Sequence, residues 1–237
     1  MNQKNKDLAD PKVRQAIAYA IDKDALIKQA LPEGSKAAIN FMPENVTGYN
    51  AGVTTYAYNP EKAKSLLKEA GKEGLTLKFN YPTGVSRPYM PTPEDTYVAL
   101  KAQLEAVGIK VTPVANKWAP DYLDKIQGSS DHDIHLLGWT GDYNDPDNFI
   151  GVFFGGQANE WGFNNPELFK ALKDARGLSD AAAQKTAYEK ICAMIADYVP
   201  GIPLAHPVPS LAFGKGVSGY TPSPIQDEVW NLVTITK

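Results

Sequence analysis

Two charged side chains stand where this sequence is able to hold a small molecule. Arg87 lies in the loop Pro82-Thr-Gly-Val-Ser-Arg87-Pro-Tyr89-Met-Pro91, directly after the alternating stretch Leu75-Thr-Leu-Lys-Phe-Asn-Tyr81. Asp142 lies in G-W-T-G-D-Y-N-D-P-D-N-F, residues 138–149, directly after the apolar run Ile134-His-Leu-Leu137. A guanidinium is the natural bidentate partner of a carboxylate, and a carboxylate is the natural partner of an ammonium. Together they suit the two ends of a zwitterion. Trp139, Tyr89 and Tyr143 are candidate walls, and Gly138 and Thr140 adjoin them on the Asp142 loop. The plainer reading makes Arg87 a solvated loop charge and 138–149 a turn, since turns favour Asp and Asn.

Other chemistries fare worse. His132 and His135 are three residues apart, which on a strand places them on opposite faces and leaves no metal site. Asp142, Asn144, Asp145 and Asp147 resemble a calcium loop, but Gly is missing at its sixth position and Glu at its twelfth. The sequence contains no G-x-S-x-G elbow, H-E-x-x-H pair or phosphate loop. His206 has no nucleophile beside it. No catalytic residues and no cofactor are expected, although a hydrolase or transferase using the carboxylates around Asp142 stays open as an alternative. Cys192 is the lone cysteine, which excludes an internal disulfide and a Cys-based zinc cage; a small buried hydrophobe is expected there. The net charge of −3 and the lack of a Lys/Arg cluster argue against a nucleic-acid partner. No apolar run approaches the ~20 residues of a membrane span, and the first residues, Met-Asn-Gln-Lys-Asn-Lys, lack the apolar segment of an export signal.

The elements that must position the two loops are marked by caps and prolines. Asp10-Pro11, Asn59-Pro60, Thr92-Pro93, Asp145-Pro146 and Asn165-Pro166 each put a capping side chain before a proline with preset φ. Asp22 and Ser179 cap two more helices. Helix 93–107 presents Val98, Leu100, Leu104 and Val107. The strand at 75–81, helix 93–107, strand 109–114, a short helix 118–126 and strand 133–138 alternate with short joints. That order implies parallel strands, so both loops leave one sheet edge, where open α/β sheets hold ligands. Gly138 and Gly141 let the backbone turn there. Helices 146–154, 166–176 and 180–198 are expected to cover the sheet. Residues 202–206 and 211–213 suit a hairpin or edge strands, and 229–236 is strongly β-like.

Four motifs carry a family resemblance. They are D-P-K-V-R-Q-A-I-A-Y-A-I-D-K-D-A-L-I (10–27), Y-N-P-E-K-A-K-S-L-L-K-E-A-G (58–71), S-R-P-Y-M-P (86–91) and the 138–149 stretch. The sequence resembles the family-5 solute-binding proteins of bacterial ABC importers, and the last two motifs resemble its dipeptide-binding members. The resemblance implies an α/β lobe of the type II periplasmic-binding-protein kind, a mixed sheet covered by helices. It implies that 1–216 is a ligand-cleft lobe and 217–237 a tail packing on a missing first lobe. Arg87 would then take a peptide's carboxylate and Asp142 its α-ammonium. Tyr143-Asn144 departs from the Asn-Gly of those members, which affects the pocket wall. The implied function is binding of di- or short oligopeptides for delivery to an importer, with glutathione, haem or another small solute as the alternative cargo. Implied partners are the peptide, the complementary first lobe and the importer's membrane subunits. The implied setting is the periplasm or a cell-surface lipoprotein. Family members are longer, with a signal segment and a whole lobe upstream.

Overall fold

The computed structural model describes residues 1–208, 211–222 and 229–236. Along the chain run α1 (Lys6–Ala9), α2 (Pro11–Ala20), α3 (Lys23–Ala30), β1 (Lys36–Ala37), α4 (Pro60–Glu69), β2 (Thr76–Thr83), α5 (Pro93–Ala106), β3 (Lys110–Lys117), α6 (Leu123–Gly128), β4 (Ile134–His135), α7 (Val152–Phe154), α8 (Pro166–Arg176), α9 (Ala181–Tyr198), β5 (Ala205–His206), β6 (Val217–Ser218) and β7 (Thr234–Ile235). Irregular helical turns at Trp118–Tyr122 and Asp147–Gly151 lead into α6 and α7.

Most helix starts follow the capping signals. Asp10, Asn59 and Asn165 accept hydrogen bonds from the N–H groups of Lys12, Lys62 and Leu168, each with proline at the start of the helix. Asp22 caps α3 through Ala25 N–H. Two caps differ from expectation. Thr92 instead donates its hydroxyl to Ala30 O at 2.9 Å, tying the start of α5 to the end of α3. Asp180 rather than Ser179 caps α9, accepting from Ala183 N–H. Val98 is 55 % exposed, because the buried stripe of α5 runs through Tyr97, Leu100 and Leu104 and position 98 falls beside it.

The sheet has order β3-β2-β4 with all strands parallel, as the strand–helix alternation implied. Leu77 and Phe79 of the central strand are buried beneath α2, α4 and α5, with Val13, Ile17, Leu67, Leu100, Leu104 and Ile109. The α/β class holds, with its antiparallel component in separate ribbons: β1 pairs with β5, and β6 with β7. Residues 205–206 thus pair with 36–37 rather than with 211–213. The later helices do not cover the sheet. Phe154, Leu168, Leu172, Tyr188, Ile191 and Ile195 instead build a second core with Met42, Val46 and Val53 from the passage between β1 and α4. Cys192 is buried in it as a small hydrophobe, its thiol pushed up to about 12 by burial.

One cation joins the two cores. Arg14, 2 % exposed, donates to Leu8 O, Ala9 O, Tyr198 O and Val199 O at 2.8–3.0 Å and lies over the Tyr198 ring. It satisfies carbonyls left open at the ends of α1 and α9, where a positive charge also suits the helix dipole.

Candidate functional site

The site is built from the carboxyl ends of β2 and β4. Asn80 pairs with His135 across these strands, and Leu136 N–H donates to Asn80 O at 3.1 Å. The buried Tyr122 staples this end: its hydroxyl lies 2.6 Å from Leu136 O and 3.2 Å from Asn80 O, and accepts from Leu136 N–H. Burial pushes its phenol pKa up, so the hydroxyl keeps its proton. Arg87 and Asp142 each follow a member of the Asn80–His135 pair by seven residues. Their loops therefore leave the same edge side by side.

The first loop is closed by Arg87 and Met90, which exchange two main-chain hydrogen bonds of 3.1 and 2.9 Å. Met90 is buried in the sheet-side core and anchors the loop. The Arg87 guanidinium lies over the Trp118 ring, 4.4 Å from its centroid. Its Nε is buried without a hydrogen-bond partner, and among the described residues no carboxylate pairs with it. Tyr89 leans on the second loop at Gly138: a methyl group there would stand 2.7 Å from the ring's Cγ. Burial raises the Tyr89 phenol pKa, partly offset by Arg87.

The second loop is held by Asn148, a buried amide. Its Oδ1 accepts from Asp142 N–H at 2.7 Å and from the Trp139 indole at 3.4 Å, while its Nδ2 donates to Asp142 Oδ2 at 3.2 Å. Gly138 and Gly141 have no positive φ. They are needed because rings sit on them: a Cβ at Gly141 would stand 2.8 Å from Phe149 Cε2. The remaining acids are structural. Asp145 accepts from Asp147 N–H at 2.8 Å, and Asp147 pairs side-on with Arg176 at 2.9 and 3.0 Å, tying the loop to α8. Asp142 is exposed, and among the described residues no cation pairs with it. Trp139 and Tyr143 are exposed beside it and Thr140 is half-buried. An unpaired cation and an unpaired anion thus stand on two loops that touch.

Three residues of this arrangement escaped sequence reasoning. Trp118 had a usable signal, since it follows a third strand of the same sheet. Tyr122 and Asn148 had none, because their partners lie fourteen and six residues away with no periodic pattern.

The histidines depart from expectation. His132 precedes the paired part of β4, so strand parity does not apply, and its ring meets that of His135 edge-on at 5.1 Å. His132 Nε2 lies 3.0 Å from Glu160 O, and His135 Nε2 lies 3.0 Å from Glu160 Oε1. Burial lowers the His132 pKa to about 4 and also lowers that of His135. Among the described residues no group of three or more such side chains is placed to hold a metal.

A cavity of about 290 Å³ lies between the two cores, lined by Ala18, Ile21, Tyr56, Ile195 and Val199 among others. Neither Arg87 nor Asp142 lines it, and its Lys23 ammonium donates to Ala38 O at 2.7 Å. The unpaired opposite charges make the sheet edge the stronger candidate. Among the described residues no helix is long and apolar enough to cross a membrane.

Residues 1–161 match the family model described as bacterial extracellular solute-binding proteins, family 5 middle. The chain is 35 % identical over 240 residues to the dipeptide-binding protein of Escherichia coli (strain K12), covering 99 % of this chain and 44 % of that protein. It is 33 % identical over 229 residues to heme-binding protein A of Haemophilus influenzae, covering 94 % of this chain and 41 % of that one. Among solved structures, the dipeptide-binding protein of Pseudoalteromonas sp. SM9913 in complex with Met-Leu superposes with a TM-score of 0.86 at 27 % identity, over 99 % of this chain and 47 % of that one. The periplasmic binding protein DppA of Helicobacter pylori in complex with the peptide STSA gives 0.84 at 28 % identity, over 100 % and 46 %. The chain spans less than half the length of the relatives it matches.

Proposed function

The chain belongs to the bacterial extracellular solute-binding proteins of family 5, and from that premise we propose that it is one lobe of a protein that encloses a dipeptide or short oligopeptide. Family-5 proteins bind their solutes rather than transform them. The observation that carries the peptide reading is the pair of unpaired charges, Arg87 and Asp142, on adjoining loops at one sheet edge. Arg87 takes the ligand carboxylate through its planar fork, and Asp142 takes the α-ammonium. Tyr89, Trp139, Gly138 and Thr140 line the space between them. Residues 1–216 form the cleft lobe, and 217–237 form a tail that packs on the complementary lobe. Closure of the lobes about a hinge excludes water and strengthens both ionic contacts. The loaded protein then delivers its peptide to the membrane subunits of an ABC importer, outside the cytoplasm.

The haem-binding relative, at comparable identity, makes another solute the competing cargo, since a fold does not select its ligand. The test mixes this chain with its complementary lobe and a set of dipeptides, followed by native mass spectrometry. Retention of intact dipeptide supports the reading. Retention of haem in preference to any peptide overturns the cargo, and release of free amino acids supports the hydrolase alternative.

A further inference from the structure

Resting on that reading, we propose that Trp118 is a positioning residue, whose indole ring fixes the plane of the Arg87 guanidinium so that the fork faces the ligand carboxylate before the ligand arrives. Bidentate recognition needs the guanidinium and carboxylate planes aligned, and an arginine carries several rotatable bonds. A protein usually fixes such a side chain with acceptors, as Arg14 of this chain shows with its four carbonyls. That solution occupies the N–H groups a ligand would need. Arg87 is held differently. Its main chain is locked to Met90, its Nε is buried without an acceptor, and its Cζ rests 4.4 Å from the Trp118 ring centroid. Stacking covers one face of the fork and leaves its in-plane donors free.

Trp118 is itself anchored to the rigid part of the sheet. It follows Lys117, which is paired with Thr83 at the end of the β2–β3 register. Its ring stacks on Tyr122, with centroids 6.0 Å apart and planes 24° apart. Tyr122 is fully buried and bonded to Asn80 and Leu136, the residues from which both site loops depart. The path Tyr122–Trp118–Arg87 therefore carries the geometry of the sheet edge to the fork.

The experiment titrates this 237-residue chain with Ala-Phe and with Ala-Phe-amide, read by NMR, which reports millimolar binding. The preference for free acid over amide is compared in the wild type, Arg87→Ala, Trp118→Leu and Trp118→Phe. Trp118→Leu is expected to reduce that preference about 2- to 5-fold, up to the whole worth of an ionic contact open to water on one lobe, with little effect on the amide. Trp118→Phe keeps a ring face and should restore most of it. If Trp118→Leu weakens acid and amide equally, Trp118 is merely structural and the inference fails, while Arg87→Ala abolishing the preference leaves the peptide reading intact. If the wild type shows no preference, or Arg87→Ala leaves it unchanged, the carboxylate reading fails and this inference with it. A second measurement stands even where a variant misfolds: the Arg87 Nε–H of the ligand-free wild type should show restricted nanosecond motion, and free rotation there overturns the proposal.

Discussion

The ring of Tyr89 lies on the bare Cα of Gly138, so near that a methyl group at that position would stand 2.7 Å from the ring's Cγ. This contact couples the loop carrying Arg87 to the loop carrying Asp142, which neither strand pairing nor sequence order does by itself. It also explains a glycine whose φ any residue could adopt.

Gly138→Ala should therefore displace Tyr89 and separate the loops. Overpacking of this kind costs about 1–3 kcal/mol, visible as a lowered midpoint in thermal denaturation. Adding Tyr89→Ala makes room and should recover part of the loss. A double variant no more stable than Gly138→Ala alone would place the strain elsewhere.

Arg14 is predicted to be indispensable to the packing of the two cores. Arg14→Lys keeps the charge but cannot reach four carbonyls spread over two chain segments. Leaving buried polar groups unpaired costs about 1–3 kcal/mol each, so Arg14→Lys should lower stability by several kcal/mol in urea titration. A change below about 0.5 kcal/mol, the level of a surface substitution, would contradict this assignment.

Acid should loosen the chain in a defined window. Burial lowers the His132 pKa from 6.5 to about 4 and also lowers that of His135. The Glu160 side chain opposes both shifts without cancelling them. Both shifts are downward, so the unfolded chain binds protons first as pH falls. Stability is then full well above about pH 6.5 and declines as pH falls to about 4. The His132 part is on the order of 3 kcal/mol. His132→Phe should flatten the decline below pH 6.5 in denaturant titrations across pH; an unchanged slope would remove His132 as its source.

How much of this was legible depends on the range of the contacts. Capping is local, so Asp10, Asp22, Asn59 and Asn165 marked their helices, and alternation of strands and helices led to the parallel sheet. Thr92 marked the start of α5 correctly, but its hydroxyl bonds a carbonyl of another helix and makes no bond to its own first turn. Arg87 and Asp142 stood out as charges placed just after strands. What held them did not. Asn148, Trp118 and Tyr122 act through contacts that only the folded chain brings together. The second core was misjudged for the same reason, since helix periodicity shows that a face is buried but not what buries it.

The last prediction concerns ligand length in the protein with both lobes. If Arg87 takes the carboxylate and Asp142 the ammonium, two loops locked at Met90, Asn148 and the Tyr89–Gly138 contact set the distance between the anchors. Each added residue lengthens an extended peptide by about 3.3–3.6 Å, more than a hydrogen bond can stretch. A tripeptide must buckle or leave one anchor, and a buried charge that loses its partner costs about 3–5 kcal/mol. Asp142→Asn keeps the shape, and its amide oxygen still accepts from Asn148 Nδ2, so the substitution isolates the ionic contact. It should weaken zwitterionic dipeptides at least tenfold, about 1.4 kcal/mol, and N-acetylated ones hardly at all, measured by calorimetry. An equal loss for both ligands would mean that Asp142 shapes the loop and does not receive an ammonium.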